Sequence, residues 1–543
     1  MNRSPISCWR WWTAIAITIH FVVILALGLF RHWGYMTSLN DLGVFDQAVW
    51  GTMHGQFLLN TSIFNQTINW LGAQFSPALL LFVPLYAISP NAEWLVLAQA
   101  CALSVTAWPI FLLASRILKS EATGLMWAIA YLVNPFLLNA AAWDFHQTML
   151  TVPFIAFGML AIEKKDSRLL FLSCLPLLFI REHLGLTVAG FGLLWGLRHH
   201  DWKTATTLIL LGLGHLLLVI VLIMPALSPT GSHVMLASDL GQLSRYGWLG
   251  KSVGDIALNL LLHPWAIARQ VLFDWGGWSY LTLLLLPLLG FSLAAPVYLL
   301  PALPDLAANL LSANTMPRIV FAYHSVTLVP VLTIAAAYGA RRISLRWSWL
   351  SSAQISGLAL IASLVMGYAL APLPIPGALN FWAPAHFPIA PDPVPAAIRE
   401  KLGTASISAQ GNVGAHFSQR NQIYFYPKKL DDVEAVVLRL ESPTRKLSPK
   451  EPGLIFSSLA SHLQMRPAEN LASIECLLSG KEYGVLLWQD PWLVLRRSTD
   501  TATTDPVLDG LIRQKLQHLR VEWQVEVEEY RDALQRCGKP KES

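Results

Sequence analysis

The chain has 543 residues, of which 54% are hydrophobic, 11% aromatic and only 13% charged. A soluble globular protein carries about 25% charged residues, so this chain reads as a multi-pass membrane protein, and a mean hydropathy of +0.48 agrees. The net charge of +5 comes with no basic run and no aromatic–basic interleaving, which argues against a nucleic-acid partner.

A membrane span needs about 20 apolar residues. The first such segment, 13–31, is followed by TSLNDLGVFDQAVWGTMHGQF (37–57). Residues 41–53 read as a helix with Gly55 as its stop. At 100° per residue, Leu42, Phe45, Val49 and Met53 share one face, the pattern of an amphipathic helix lying at the membrane interface. Asp41 sits at its start, either as an N-cap or as a reacting acid. Asp46 falls on the apolar face, a costly place for a carboxylate without a partner. SPALLLFVPLYAIS (76–89) reads as a half-span or interfacial segment, and spans follow at 94–116 and 122–142.

WDFHQ (143–147) leads into the next span, 147–162. Asp144 and Gln147 have capping-box spacing, which leaves His146 unaccounted for at a depth where ionisable groups are usually functional. Together, Asp144 and His146 could orient a metal, a phosphate or an acceptor hydroxyl. The segments 169–180 and 184–197 are short, as broken or tilted helices inside a bundle would be. Between them FIREHLGL (179–186) places Arg181, Glu182 and His183 in a row. They form either an internal ion pair that bridges helices or a phosphate site, with Arg181 as the clamp. Further spans lie at 205–226, 279–291, 293–311, 320–340 and 349–371, giving about 11 in all. Arg318, Tyr323 and His324, in NTMPRIVFAYH (314–324), form a similar group, with a snorkelling arginine as the competing reading.

Of the 33 acids, 13 lie in residues 1–370 and 20 in 371–543. The chain is therefore divided into a membrane domain (1–371), a proline-rich linker (372–395) and a small α/β domain (396–543). The fold class is mostly α: a polytopic helical membrane bundle followed by that α/β domain. In the tail 405–410, 434–440, 483–488 and 492–497 read as strands, the last two as a hairpin about QDP (489–491), and 507–536 reads as a helix. The tail shows no catalytic constellation. Of the five cysteines, Cys476 and Cys537 lie in the tail, as a disulfide or as two free thiols.

The positive-inside rule puts the N-terminus in the cytoplasm, with Arg116, Lys119, Lys164, Lys165, Arg168, Arg198, Lys203, Arg341, Arg342 and Arg346 in cytoplasmic connections. The tail is then extracytoplasmic, and all the polar motifs above face outward. The N-terminal segment reads as an anchor rather than a cleaved signal. No nucleotide-binding glycine motif occurs.

DLGVFDQAVW…HGQF, QFSPALLLFVPLYAISP, AYLVNPFLLNAAAWDFHQTMLTVP, REHLGL and the tail stretch ASISAQGNVGAHFSQRNQIYFYP resemble the domain-of-unknown-function 2079 family of bacterial membrane proteins. That family is similar to the GT-C class of membrane glycosyltransferases. The resemblance implies a GT-C-like bundle in the bacterial plasma (inner) membrane. Its partners would be membrane lipid and a polyprenyl-phosphate-linked sugar donor, used at the outer face. It gives Asp41, with Asp46 second, the place of the acid in the first outer loop, and Asp144 that of the second acid. Arg181 or His146 would stabilise the departing phosphate. Glu182, His183, Arg318, Tyr323 and His324 complete the expected substrate site. No cofactor is certain; a divalent metal is the one considered, with Asp41, Asp144 and His146 as its ligands. The chain departs from the pattern at Gln74, where the family has His, and at His183, where it has an acid. The competing readings are a non-catalytic scaffold or glycan- or lipid-binding protein, and a transporter of a lipid-linked or small polar solute. A transporter would favour mid-span acids and an inverted repeat, and the sequence shows few of the former and no clear repeat.

Overall fold

Proline and paired capping residues decide where the apolar segments are cut. In the computed structural model, which describes residues 7–64, 66–231, 245–382, 387–442, 459–460, 462–480, 482–497 and 505–537, the chain divides into two units. The first is Met1–Gly28, Asn69–Leu81 and Trp94–Ala383; the second is Leu29–Ile68, Phe82–Glu93 and Pro384–Ser543.

Among the described residues five helices are long and apolar enough to cross a membrane: Cys8–Trp33, Glu93–Leu118, Trp202–Ala226, Leu328–Arg346 and Ser352–Leu370. Two bent pairs raise the number to seven if each is one span. One pair, Glu121–Leu132 and Pro135–Ala141, bends by 51°. Asn134 precedes a proline and is extended, as that position demands, and its side chain accepts from Phe136 N at 3.0 Å. The expectation of about 11 spans counted segments that the fold keeps short. Segment 147–162 becomes a 3-10 turn, Gln147–Thr151, and a 13-residue helix, Val152–Lys164. Segments 169–180 and 184–197 become helices of 14 and 16 residues, Ser167–Ile180 and Leu184–His199. At 1.5 Å per residue these reach about 20–24 Å, short of a hydrocarbon core of about 30 Å.

Three helical hairpins in the first unit share one turn chemistry. Lys119, Lys165 and His200 end their helices at left-handed φ of 54°, 55° and 57°. The next residue caps the following helix: Ser120 accepts from Thr123 N, Asp166 from Leu169 N and Asp201 from Thr204 N. In the third hairpin, Leu184–His199 lies against Trp202–Leu218 so closely that a Cβ on Gly212 would sit 2.2 Å from the Gly185 carbonyl oxygen. A continuous apolar core runs through this unit, with Trp127, Tyr131, Phe136, Phe191 and Tyr298 among its largest buried members.

The second unit is built on a five-stranded mixed sheet. Its strands are β1 (Ile407–Ala409), β2 (Ile423–Phe425), β3 (Ala435–Arg439), β4 (Tyr483–Gln489) and β5 (Trp492–Arg497), in spatial order β2-β1-β3-β5-β4. β1 pairs parallel to β2 and β3, while β5 runs antiparallel to β3 and β4. Side chains alternate between the two faces. Val436, Leu438, Leu493 and Leu495 meet Leu471, Ile474, Ile512, Leu516 and Leu519 of the C-terminal helices. Ala435, Val437, Trp492 and Val494 meet Tyr35, Leu39, Ile398 and Phe417. Four strands fall where the alternation placed them. The three-residue β2 and the helix Pro467–Ser479 were not anticipated. The expected helix 507–536 is two, Pro506–Glu522 and Val527–Cys537. They are separated at Gln524, whose φ is 53° and after which Val525 N donates back to Arg520 O, a left-handed helix end. The proposed Cys476–Cys537 pairing involves a side chain, that of Cys537, outside the described residues.

Candidate functional site

The expected site residues fall in both units. In the second unit Asp41 lies in a π-helical turn, Leu39–Gly43, capped by Ser38, whose hydroxyl accepts from Asn40 N at 3.0 Å. The α-helix starts later, at Val44, so Asp41 is not its N-cap. That helix, Val44–Met53, is also no interfacial helix with one wet face: Val44, Phe45, Asp46, Gln47, Ala48, Val49 and Gly51 are all buried. Gln47 explains part of this. Its amide donates to Thr61 Oγ1 and Arg420 O and accepts from Asn60 Nδ2 and Thr61 N.

Asp46 is only 1% exposed. Its Oδ1 accepts from Tyr86 Oη at 2.8 Å and Gln419 Nε2 at 3.1 Å, and its Oδ2 from Ser418 Oγ at 2.6 Å. Burial pushes its pKa up, and these three donors pull against that shift. The carboxylate joins three stretches of the second unit, and three of its roughly four acceptor positions are taken by protein donors. In the fold it acts as a clamp between those stretches.

The first unit gathers seven of the predicted residues around a short set of polar contacts. Gln74 follows the one-turn helix Trp70–Ala73 and is extended. Its Oε1 accepts from Gln147 Nε2 at 2.7 Å and from Arg181 Nη1 at 3.1 Å. Arg181 Nη2 meets Glu182 Oε1 at 3.2 Å, and Glu182 Oε2 accepts from Phe75 N at 3.1 Å. Burial would raise the Glu182 pKa, but Arg181 and His183 override it and hold the carboxylate ionised. His183 extends the chain of charge to Asp305, Nε2 to Oδ1 at 3.6 Å. The anticipated Arg181–Glu182 ion pair is therefore present, and Arg181 Nε has no hydrogen-bond partner among the described residues.

An aromatic stack stands beside this group. The Tyr323 ring lies between His146, at 3.8 Å and 29°, and His324, at 4.2 Å and 21°. His146 N donates to Gln99 Oε1 at 3.2 Å, and its Nδ1 faces the Asp144 carbonyl oxygen at 3.4 Å. Asp144 and His146 are both 5% exposed. Burial pushes the His146 pKa down to about 4 and that of His324 down to about 3, the latter helped by Arg245, His146 and Arg181. Both imidazoles are thus neutral at neutral pH, each with one donor and one acceptor nitrogen. Neither ring nitrogen of His324 has a hydrogen-bond partner among the described residues. The capping-box reading of Asp144 and Gln147 does not hold. The turn Gln147–Thr151 opens at His146 without a side-chain cap, and the Gln147 amide points to Gln74 instead.

Arg318 is elsewhere in the first unit. It pairs with Asp274, and with its side chain 11% exposed and that of Asp274 33% exposed it is a part-buried ion-pair member. Among the described residues no three His, Cys, Asp or Glu side chains are grouped to hold a metal ion. The residues that sequence reasoning passed over are amides: Gln99, Gln147 and the organising role of Gln74. Their signal was an uncharged polar side chain beside or within an apolar segment.

No curated protein matches the chain. The model of a family described as predicted membrane protein (DUF2079) matches residues 31–456, which takes in both Asp46 and the Gln74–Arg181 group, and the chain belongs to that family.

Proposed function

We propose that the protein is an integral membrane glycosyltransferase that moves a sugar from a polyprenyl-phosphate-linked donor to an acceptor at the outer face of a bacterial inner membrane. The observation that supports this reading most is Arg181, buried and held on two sides, with an unpartnered Nε. The same unit contains the unpartnered imidazole of His324, within the electrostatic reach of Arg181 and Arg245. In this reading the acceptor oxygen attacks the anomeric carbon, the bond from that carbon to the phosphate oxygen breaks, and the electron pair leaves with the phosphate. Arg181 meets the growing negative charge, aided by a donor nitrogen of His324. The hydroxyl proton passes to a carboxylate. Asp144 is a candidate acid of the same unit; the resemblance gives that role to Asp41 of the other, and each is tested by its own substitution.

The test uses purified full-length protein with polyprenyl-phosphate sugars and follows release of polyprenyl phosphate. Arg181→Gln is expected to slow release by about 10²-fold or more, and Asn in place of the true base to abolish it. No release by the unaltered protein with any donor, together with an unchanged envelope glycan profile in a deletion strain, would sink the proposal.

A further inference from the structure

Arg181 does not hold its own position, and the residue that holds it is Gln74. We infer that Gln74 is a positioning residue that fixes the Arg181 guanidinium for phosphate binding, an inference that rests on the role given to Arg181 above.

A guanidinium has five N–H donors in a rigid fork, and its direction is set by whatever accepts from them. Here Nη2 is taken by Glu182 and Nη1 by Gln74, so the fork is pinned from two sides and Nε is left over. Residues 74 and 75 act as one brace. The Gln74 side chain holds the arginine, and the backbone N–H of Phe75 holds the carboxylate paired with it. The brace is itself fixed: Gln74 N donates to Trp70 O at 2.8 Å, closing the turn that precedes it. A side-chain amide suits this post. Its carbonyl oxygen has two lone pairs, and both are used, one for Arg181 and one for Gln147. A neutral imidazole has a single acceptor nitrogen and serves one donor at most. A carboxylate accepts from both, but brings a second negative charge beside the arginine and competes with phosphate for it.

The experiment measures binding of farnesyl phosphate, a short polyprenyl phosphate, to the purified full-length chain in detergent between pH 6 and pH 8, roughly the range over which an imidazole changes charge. Fold is checked by helix content and a single monodisperse peak. Gln74→Ala is expected to weaken binding by about 10-fold, as loss of a hydrogen bond to a charged group does. Gln74→His, which keeps more of the volume and is read where the alanine variant does not fold, is expected to weaken binding increasingly as the pH falls. The imidazolium can no longer accept and repels Arg181. The readout is the ratio to the unaltered protein at each pH, which cancels titration of the phosphate, and a merely structural role for residue 74 would leave that ratio flat. If the unaltered protein does not bind the probe, or Arg181→Gln binds it equally well, the phosphate reading fails and this inference with it. If Arg181→Gln abolishes binding while both Gln74 variants bind normally at every pH, the inference about Gln74 alone is overturned.

Discussion

Replacing Asp46 by Ala leaves the hydroxyls of Tyr86 and Ser418 and the amide of Gln419 without their shared acceptor. Each buried donor so stranded costs about 1–3 kcal/mol. Asp46→Ala is therefore expected to yield little folded protein. Asp46→Asn keeps one acceptor oxygen, and Ser418 can turn to the Ala415 carbonyl that it already contacts at 3.1 Å. Its stability should lie within about 1 kcal/mol of the unaltered protein, with no change in the polyprenyl-phosphate release assay that tests the proposed function; loss of release with normal stability would return Asp46 to the reacting groups. A second residue gives the second unit a pH dependence. His416 stacks on His32 at 4.1 Å. Burial first, then His32, Arg399 and Arg439, hold its pKa well below the ordinary 6.5. Below that value the unfolded chain binds a proton that the folded chain does not, so this stability is complete above about pH 6.5 and is lost as the pH falls. Thermal unfolding at pH 7.5 and 5.5, roughly one unit either side of an ordinary imidazole, should show a drop that His416→Gln makes smaller.

Helices in the first unit are placed by their ends and by two glycines. The turns at Lys119–Ser120, Lys165–Asp166 and His200–Asp201 repeat a left-handed end followed at once by a cap. Such a device needs only adjacent residues: in each turn a basic residue is followed directly by Ser or Asp. Close approach of two helices is not announced in this way. Gly212 and Gly214 look alike in GLGH, yet a Cβ at 212 would strike the Gly185 carbonyl while one at 214 would meet nothing within 4 Å. Gly212→Ala is expected to destabilise by about 1–3 kcal/mol through overpacking. Gly214→Ala should be neutral or stabilising by about 0.5–1 kcal/mol, because it lowers the cost of ordering a helical glycine. Comparable melting of the two variants in detergent would show that the helices separate freely. The glycine at 185 opens the helix that follows Arg181, Glu182 and His183, so this packing also sets the angle at which the charged turn is held.

For the whole chain, the proposed orientation has a direct test. Single cysteines at Lys119, Lys165 and His200, in a background with the native cysteines replaced, should react with an impermeant thiol reagent only from the cytoplasmic side. A cysteine at Glu434 of the tail should react only from the other, and labelling of all four from one side would overturn the orientation. Composition alone determined that this is a membrane protein, because 54% hydrophobic residues with 13% charged leave no other class. Local pattern determined four of the five strands, since strand propensity and turn chemistry act over a few residues, whereas both N-caps read from the sequence, at Asp41 and at Asp144, gave way to other partners. The number of long spans was less legible: hydropathy reports that a segment is apolar, whereas its length as a helix depends on where proline and side-chain caps interrupt it. Tertiary structure alone decided what the polar residues do. Asp46 meets Ser418 across 372 residues of chain, and Gln74 meets Arg181 across 107. A carboxylate is a base or a clamp according to how many donors reach its lone pairs, and an amide is filler or brace according to what its oxygen accepts. Folding fixes those partners, because burial makes an unmet hydrogen bond costly, and no local pattern in the sequence records which distant group meets it.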